Sequence, residues 1–192
     1  MGLFDFFKRF KHAAVFPEKD QSQRAPGSMV FTNDLTSPKY WRNDPLIKTR
    51  YPLADYPDDI QVLVHEGGRR KTKVQPELMY VRTTGRSGEY FKGTIINEPA
   101  LLRTLKKGSV IIYKIDTGTK YPIRVFETFI REKKDWEITP CEKCGFTELF
   151  DPPSEIIMIK FPDLKPGESI EAMALLCDLC GGLQTITNKN FQ

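Results

Sequence analysis

Two short stretches, CEKCG at residues 141–145 and CDLCGG at residues 177–182, decide how this chain is read. They hold its only cysteines, Cys141, Cys144, Cys177 and Cys180, and the 32 residues 145–176 separate the pairs. Two residues between cysteines let both sulfurs of one tight turn point at a single ion. Gly145 and Gly181 follow the second cysteine of each pair, where the lack of a Cβ lets backbone amides turn back toward the thiolates. Two such turns supply four thiolates, the donor set of a closed tetrahedral zinc site. Such a site has no open position for water and is structural rather than catalytic. Short strand-like segments lead into and out of each turn: 138–139 and 146–150 around the first, 172–176 and 183–187 around the second. Strand, knuckle and strand, twice over, is the pattern of a zinc ribbon, here with an insertion because the spacing exceeds the usual fifteen to twenty residues. Two disulfides, or a redox CxxC, are the competing readings. The absence of a secretory leader favours zinc and a reducing, cytoplasmic setting.

Working outward, the 192-residue chain has room for one medium domain and an appendage. Its 13 phenylalanines and 7 tyrosines favour a β-rich globule over disorder. No run of eighteen apolar residues exists, so no helical membrane span is expected. MGLFDFFKRF lacks the basic segment of a signal peptide, and Phe6 stands where a myristoylation signal has Ser or Thr. The formal net charge is +4, unevenly spread. Residues 51–135 hold 16 basic and 11 acidic side chains, whereas residues 136–192 hold 4 and 9. A zinc–tetrathiolate centre would make the latter more negative still, which disfavours a phosphate-gripping role for the ribbon.

Residues 1–16 read as a short amphipathic helix with Leu3, Phe6, Phe7 and Phe10 on one face. That face suits a partner groove, an anionic membrane surface, or the chain's own domain. Residues 17–57 read as a linker followed by a proline-punctuated wrap. Residues 58–135 carry the β pattern. Ile60, Val62 and Val64 alternate, and the turn HEGGRR follows, with Gly67 and Gly68 expected at positive φ. Further strands are expected at 78–84, 89–97, 110–115 and 124–130, with a hairpin across GRSG and a short helix over 99–105. Another strand is expected at 156–161, before a turn at 163–167, within the zinc-ribbon-like module of 136–192. The fold class is therefore mainly β: a small twisted sheet or partly open barrel, a C-terminal zinc ribbon and a short N-terminal helix.

The segments ELMYVRTT, YFKGTIINEP and LKKGSVI, at about residues 77–110, resemble the uncharacterised bacterial family of YegJ-like proteins. The matching positions are Tyr80, Gly93, Asn97, Pro99, Lys106 and Gly108; Ser109 replaces the family's Asp, and Asp135-Trp136 echoes its closing pair. The resemblance implies a small β-rich fold and an immunity-type or accessory role in binding a protein partner. The cysteine module lies outside it.

Catalytic signatures are sparse. His65 beside Glu66 is the one conceivable acid–base pair, and neighbours on a strand point to opposite faces. A hydrolase is thus the third reading, with His65 otherwise a solvated turn residue. Arg69, Arg70, Lys71 and Lys73 form the densest basic run. With Tyr80, Tyr90 and Phe91 it would make a nucleic-acid face over residues 69–92, of the oligonucleotide-binding kind. The leading expectation is a non-enzymatic, zinc-binding cytoplasmic protein that binds a protein partner, with the basic run and the N-terminal apolar face as contact surfaces.

Overall fold

The computed structural model of the chain describes residues 29, 31, 44–50, 59–116, 118–165 and 167–191. The expected N-terminal helix with Leu3, Phe6, Phe7 and Phe10, the linker, and most of the expected wrap lie outside the described residues. The fold is mainly β, as a closed five-stranded barrel followed by a three-stranded sheet that carries the cysteines.

The barrel strands are β1 (Asp59–Val64), β2 (Glu77–Ser87), β3 (Tyr90–Ile95), β4 (Val110–Lys114) and β5 (Ile123–Val125), hydrogen-bonded in chain order. Alternation sets the inside: Ile60, Val62 and Val64 of β1 face Met79 and Val81 of β2 and Phe91 and Ile95 of β3, all fully buried. Consecutive neighbours are antiparallel, so with five strands the first and last run the same way. Closure must then be parallel, and it rests on one register pair, Leu63↔Ile123, with Leu63 N–H donating to Pro122 O at 2.8 Å. A bulge between Thr83 and Gly85 lets the eleven-residue β2 coil round the barrel. Gly93 is a close-approach position: a Cβ there would sit 2.5 Å from Val81 Cγ1 and 2.8 Å from Arg82 O.

Both barrel ends are plugged. At one, α1 (Pro45–Arg50) inserts Ile47, while Asp44 pairs with Arg86 and accepts from Leu46 N–H. At the other, Leu102 and Leu105 of the 99–105 segment reach the core. That segment is not the expected helix. Its amides are taken by carboxylates instead: Ala100 and Leu101 donate to Glu77, and Arg103 and Thr104 to Glu66. Each carboxylate is held well ionised; burial opposes this, but the hydrogen bonds from the segment outweigh it.

Two further expectations are corrected. The strand expected at 124–130 ends at Val125, and α2 (Glu127–Lys133) begins. Phe126, Phe129 and Ile130 are spaced for a helix, Phe129 is fully buried, and Glu127 and Lys133 suit the helix dipole. The strand expected at 156–161 is α3 (Pro153–Lys160), with Pro153 at its first position, where a missing N–H costs nothing. A short apolar run such as IIMI fits either period, and the proline decides.

The second sheet orders β6 (Trp136–Ile138), β8 (Leu183–Asn188) and β7 (Ala172–Leu176), with β8 central. Its inner face, with Met173, Leu175 and Ile186, packs with α2 and α3 into a core that also takes Tyr90 and Val125 of the barrel. The barrel and this sheet therefore share an interior. Among the described residues, no helix is long and apolar enough to cross a membrane.

Candidate metal centre

The two cysteine turns have the same backbone construction. Cys141 N–H donates to Phe146 O and Gly145 N–H to Cys141 O; Cys177 N–H donates to Gly182 O and Gly181 N–H to Cys177 O, all at 2.8–2.9 Å. Gly145 and Gly181 both have φ near +73°, a conformation that favours glycine. β6 leads into the first turn, and β7 and β8 flank the second. The segment 146–150 is not the expected strand. It is a buried irregular stretch whose Phe146 and Phe150 rings meet edge to face beneath the cysteines.

The turns bring all four thiols together. Cys141 Sγ lies 3.4 Å from Cys180 Sγ and Cys144 Sγ 3.7 Å from Cys177 Sγ, and the four sulfurs lie within 4.8 Å of one another. All four cysteines are free, and these separations far exceed a disulfide bond of about 2.05 Å. A tetrahedron with metal–sulfur bonds of about 2.3 Å has edges of about 3.8 Å, so the cluster fits a metal ion. Burial pushes the Cys141 thiol up, but the amides of Cys144 and Lys143 and the thiol of Cys180 outweigh it and bring it down to about 7. Burial holds Cys144 and Cys177 above the ordinary thiol value. Thiols that crowd one another in this way cannot all ionise without a cation among them.

Sequence reasoning singled out Gly181 but missed Gly182. A Cβ there would lie 2.6 Å from Lys143 Cβ and 2.8 Å from Cys141 Sγ, so Gly182 is where one turn meets the other. The doubled glycine of CDLCGG was the available signal.

The centre sits against the barrel. Ile123 and Leu63, the pair that closes the barrel, pack in one cluster with Cys141, Cys177, Phe146 and Phe150. The loop after β1 makes the polar part of this seam. Gly67 has the expected positive φ, but Gly68 serves closeness instead: its N–H donates to Asp151 Oδ2 at 2.9 Å, and a Cβ would collide with both Asp151 and Asp178. Arg69 N–H donates to Asp178 Oδ1, and Arg70 pairs with Asp178 Oδ2 at 3.0 Å. Lys71 pairs with Glu155 of α3. Burial raises the carboxyls of Asp151 and Asp178, against the pull of these donors. The expected basic run is thus divided. Arg70 and Lys71 meet acidic side chains of the cysteine module, while Arg69 and Lys73 are exposed.

His65 is not a solvated turn residue. It is fully buried and stacked 3.8 Å from Phe150. Gly67 N–H donates to its Nδ1 at 3.2 Å, so Nε2 carries the proton and donates to Arg124 O at 2.6 Å. Burial lowers its pKa to about 3 and keeps the ring neutral. Glu66 points away, to the 103–104 amides. The expected nucleic-acid face also separates: Tyr80 is exposed, but Tyr90 and Phe91 are buried and offer no ring for stacking. An oligonucleotide-binding barrel is a Greek key, whereas these five strands pair in chain order.

Another missed group is Glu148. It is buried between β4 and α2, and its Oε1 takes both Lys114 and Lys133. Fold and site together define a β-barrel protein with a four-thiol cluster of metal-binding geometry fused to its side. No protein-family model, curated protein or solved structure matches the chain.

Proposed function

We propose that the protein is a zinc-stabilised, non-enzymatic module that binds another protein in the cytoplasm. The observation that carries the metal part is the closed set of four free thiols at the seam between sheet and barrel. A soft, four-sulfur donor set suits zinc, and all four positions are protein ligands. The ion would clamp the two turns and hold the acidic module against the basic loop of residues 67–71. The non-enzymatic part is supported by His65, whose two ring nitrogens are both occupied by backbone groups. A protein partner rather than nucleic acid is supported by the buried Tyr90 and Phe91 and by Arg70 and Lys71, which already face carboxylates. The bacterial immunity or accessory role implied by the resemblance over about residues 77–110 rests on those residues alone.

Purified protein should contain one zinc per chain, with four thiols that react only after chelation. Metal-free protein with two disulfides, from reducing cells, would overturn the metal reading. Capture on the tagged chain across a salt series tests the partner. Steep salt-dependent loss, together with micromolar oligonucleotide binding, would replace the protein partner with nucleic acid.

A further inference from the structure

Among the described residues, strand β7 is one of the two edges of its sheet. Which of its backbone groups face outward follows from the register. Asn188 N–H donates to Glu171 O at 2.7 Å, and Cys177 N–H to Gly182 O at 2.8 Å. Bonded pairs in an antiparallel ladder recur at every second residue. Met173 and Leu175 therefore spend their amides and carbonyls on β8, and Ala172, Ala174 and Leu176 turn theirs to the open side. Two of the outward carbonyls bear this out. Lys160 Nζ donates to Ala174 O at 2.6 Å, and Arg70 donates to Leu176 O at 2.9 Å.

Two cations from outside the strand thus stand on carbonyls two residues apart. Lys160 has no carboxylate partner among the described residues; beyond burial, what lowers its pKa is the charge of Arg70. The flanks are apolar. Leu176 is 63% exposed and lies opposite Leu183, 43% exposed, in the register. On α3, Met158 is 64% exposed, one turn beyond the Glu155 that holds Lys71. An edge built only to repel other strands would place charge and proline where these aliphatic side chains stand.

We propose that β7 is a docking edge for an extended, acidic segment of a protein partner, which adds to the sheet as a further strand. The inference rests on the partner-binding reading above and gives that partner its chemistry. The incoming strand's amides replace Arg70 and Lys160 on the carbonyls of Leu176 and Ala174. Its carboxylates, on the face toward α3, receive the released Lys160, while Arg70 keeps its pairing with Asp178. Apolar side chains at the alternate positions lie on Leu176 and Leu183, because strand side chains alternate between faces.

The probe is a blocked ten-residue peptide of alternating Glu and Val, with a Lys–Val counterpart as control. Both are titrated by fluorescence anisotropy against the metal-loaded full chain. Ala174→Pro removes an outward N–H without touching the ladder to β8, and Lys160→Glu reverses one cation while leaving the backbone alone. The Glu–Val peptide should bind saturably and slow amide exchange at Ala174 and Leu176. Its affinity should fall at least tenfold in each variant, and the Lys–Val peptide should bind at least tenfold more weakly. Circular dichroism and zinc content establish that each variant is folded, and Lys160→Glu decides the matter if Ala174→Pro is not. Absent binding of the Glu–Val peptide, equal binding of the two peptides, or unchanged binding by Lys160→Glu would overturn the proposal. Concentration-dependent dimers that Ala174→Pro abolishes would assign the edge to a second copy and overturn it too. A protein partner retained by both variants would leave the partner-binding reading standing and remove β7 from it.

Discussion

Inside the barrel, Ile60, Val62, Val64, Met79 and Val81 are fully buried against one another, and both ends are stoppered by apolar side chains. Around the cysteines, the interior is Phe146, Phe150 and four thiols, under a three-stranded sheet with one three-residue strand. The barrel interior is one continuous cluster of buried aliphatic and aromatic side chains. The cysteine-side cluster is smaller, and an ion among its thiols would add to its cohesion. The two regions nevertheless share a core through Tyr90, Val125 and α2, and a polar seam through Arg70 and Asp178. The comparison teaches that an ion among the thiols would brace one region directly, while the seam decides how far its removal would spread.

The largest effect should come from removing the metal. Structural zinc contributes on the order of 10 kcal/mol to folding of small metal-bound units. Chelation, or Cys177→Ser, should release the amides of β6, β7 and β8 to exchange while β1 to β4 remain protected. Hydrogen exchange read by mass spectrometry distinguishes the regions; simultaneous loss of the barrel would show that they form one cooperative unit.

The seam comes next. Asp178 is almost fully buried, but Arg70 is partly exposed, so Arg70→Met should cost less than a fully buried pair, about 2–3 kcal/mol. Urea unfolding measures the loss, and zinc content should stay at one per chain. A loss of zinc would mean that the seam helps to build the centre rather than resting on it.

Paired glycine substitutions sharpen the contrast. Gly93→Ala forces a Cβ onto Val81 and the Arg82 carbonyl, and should destabilise the barrel by roughly 1–3 kcal/mol with metal affinity unchanged. Gly182→Ala forces a Cβ onto Lys143 and Cys141, and should weaken metal binding about tenfold or more while the barrel keeps its melting behaviour. Competition with a chromophoric chelator reads the second. Equal effects of both changes on both readouts would erase the distinction between the regions.

The smallest effect is a pH slope. His65 has a folded pKa of about 3, against an ordinary 6.5. Between those values the unfolded chain binds a proton that the native chain does not, so stability rises with pH across this window and is lost as pH falls below 6.5. The slope approaches about 1.4 kcal/mol per pH unit for this one group. Unfolding of metal-saturated protein from pH 6 to 5 should show it, and His65→Gln should remove that part of the slope. An unchanged slope in the variant would place the pH dependence on the metal ligands instead.

The cysteine turns were legible because their geometry is local: two residues between ligands and a glycine at positive φ dictate a turn before anything packs on it. The barrel strands were legible by alternation, as Ile60, Val62 and Val64 illustrate. Residues 124–130 and 156–161 were misread because short apolar runs satisfy both periods, and which one wins depends on what the side chains find to bury them. The 99–105 segment lost its helix to Glu66 and Glu77, 23 or more residues away in the chain from the amides they hold, which no local pattern reports.

What residue order settled on its own was chemistry carried by close neighbours: four thiols in two glycine-ended turns, alternating strands, and a basic middle ahead of an acidic end. Tertiary structure alone decided what those pieces meet. It closed the barrel through Leu63 and Ile123, buried His65 against Phe150, and set Arg70 on Asp178, 108 residues away in the chain. The reason is physical. Turns and alternation follow from backbone geometry over a few residues, whereas burial, charge pairing and an exposed strand edge follow from distances across space.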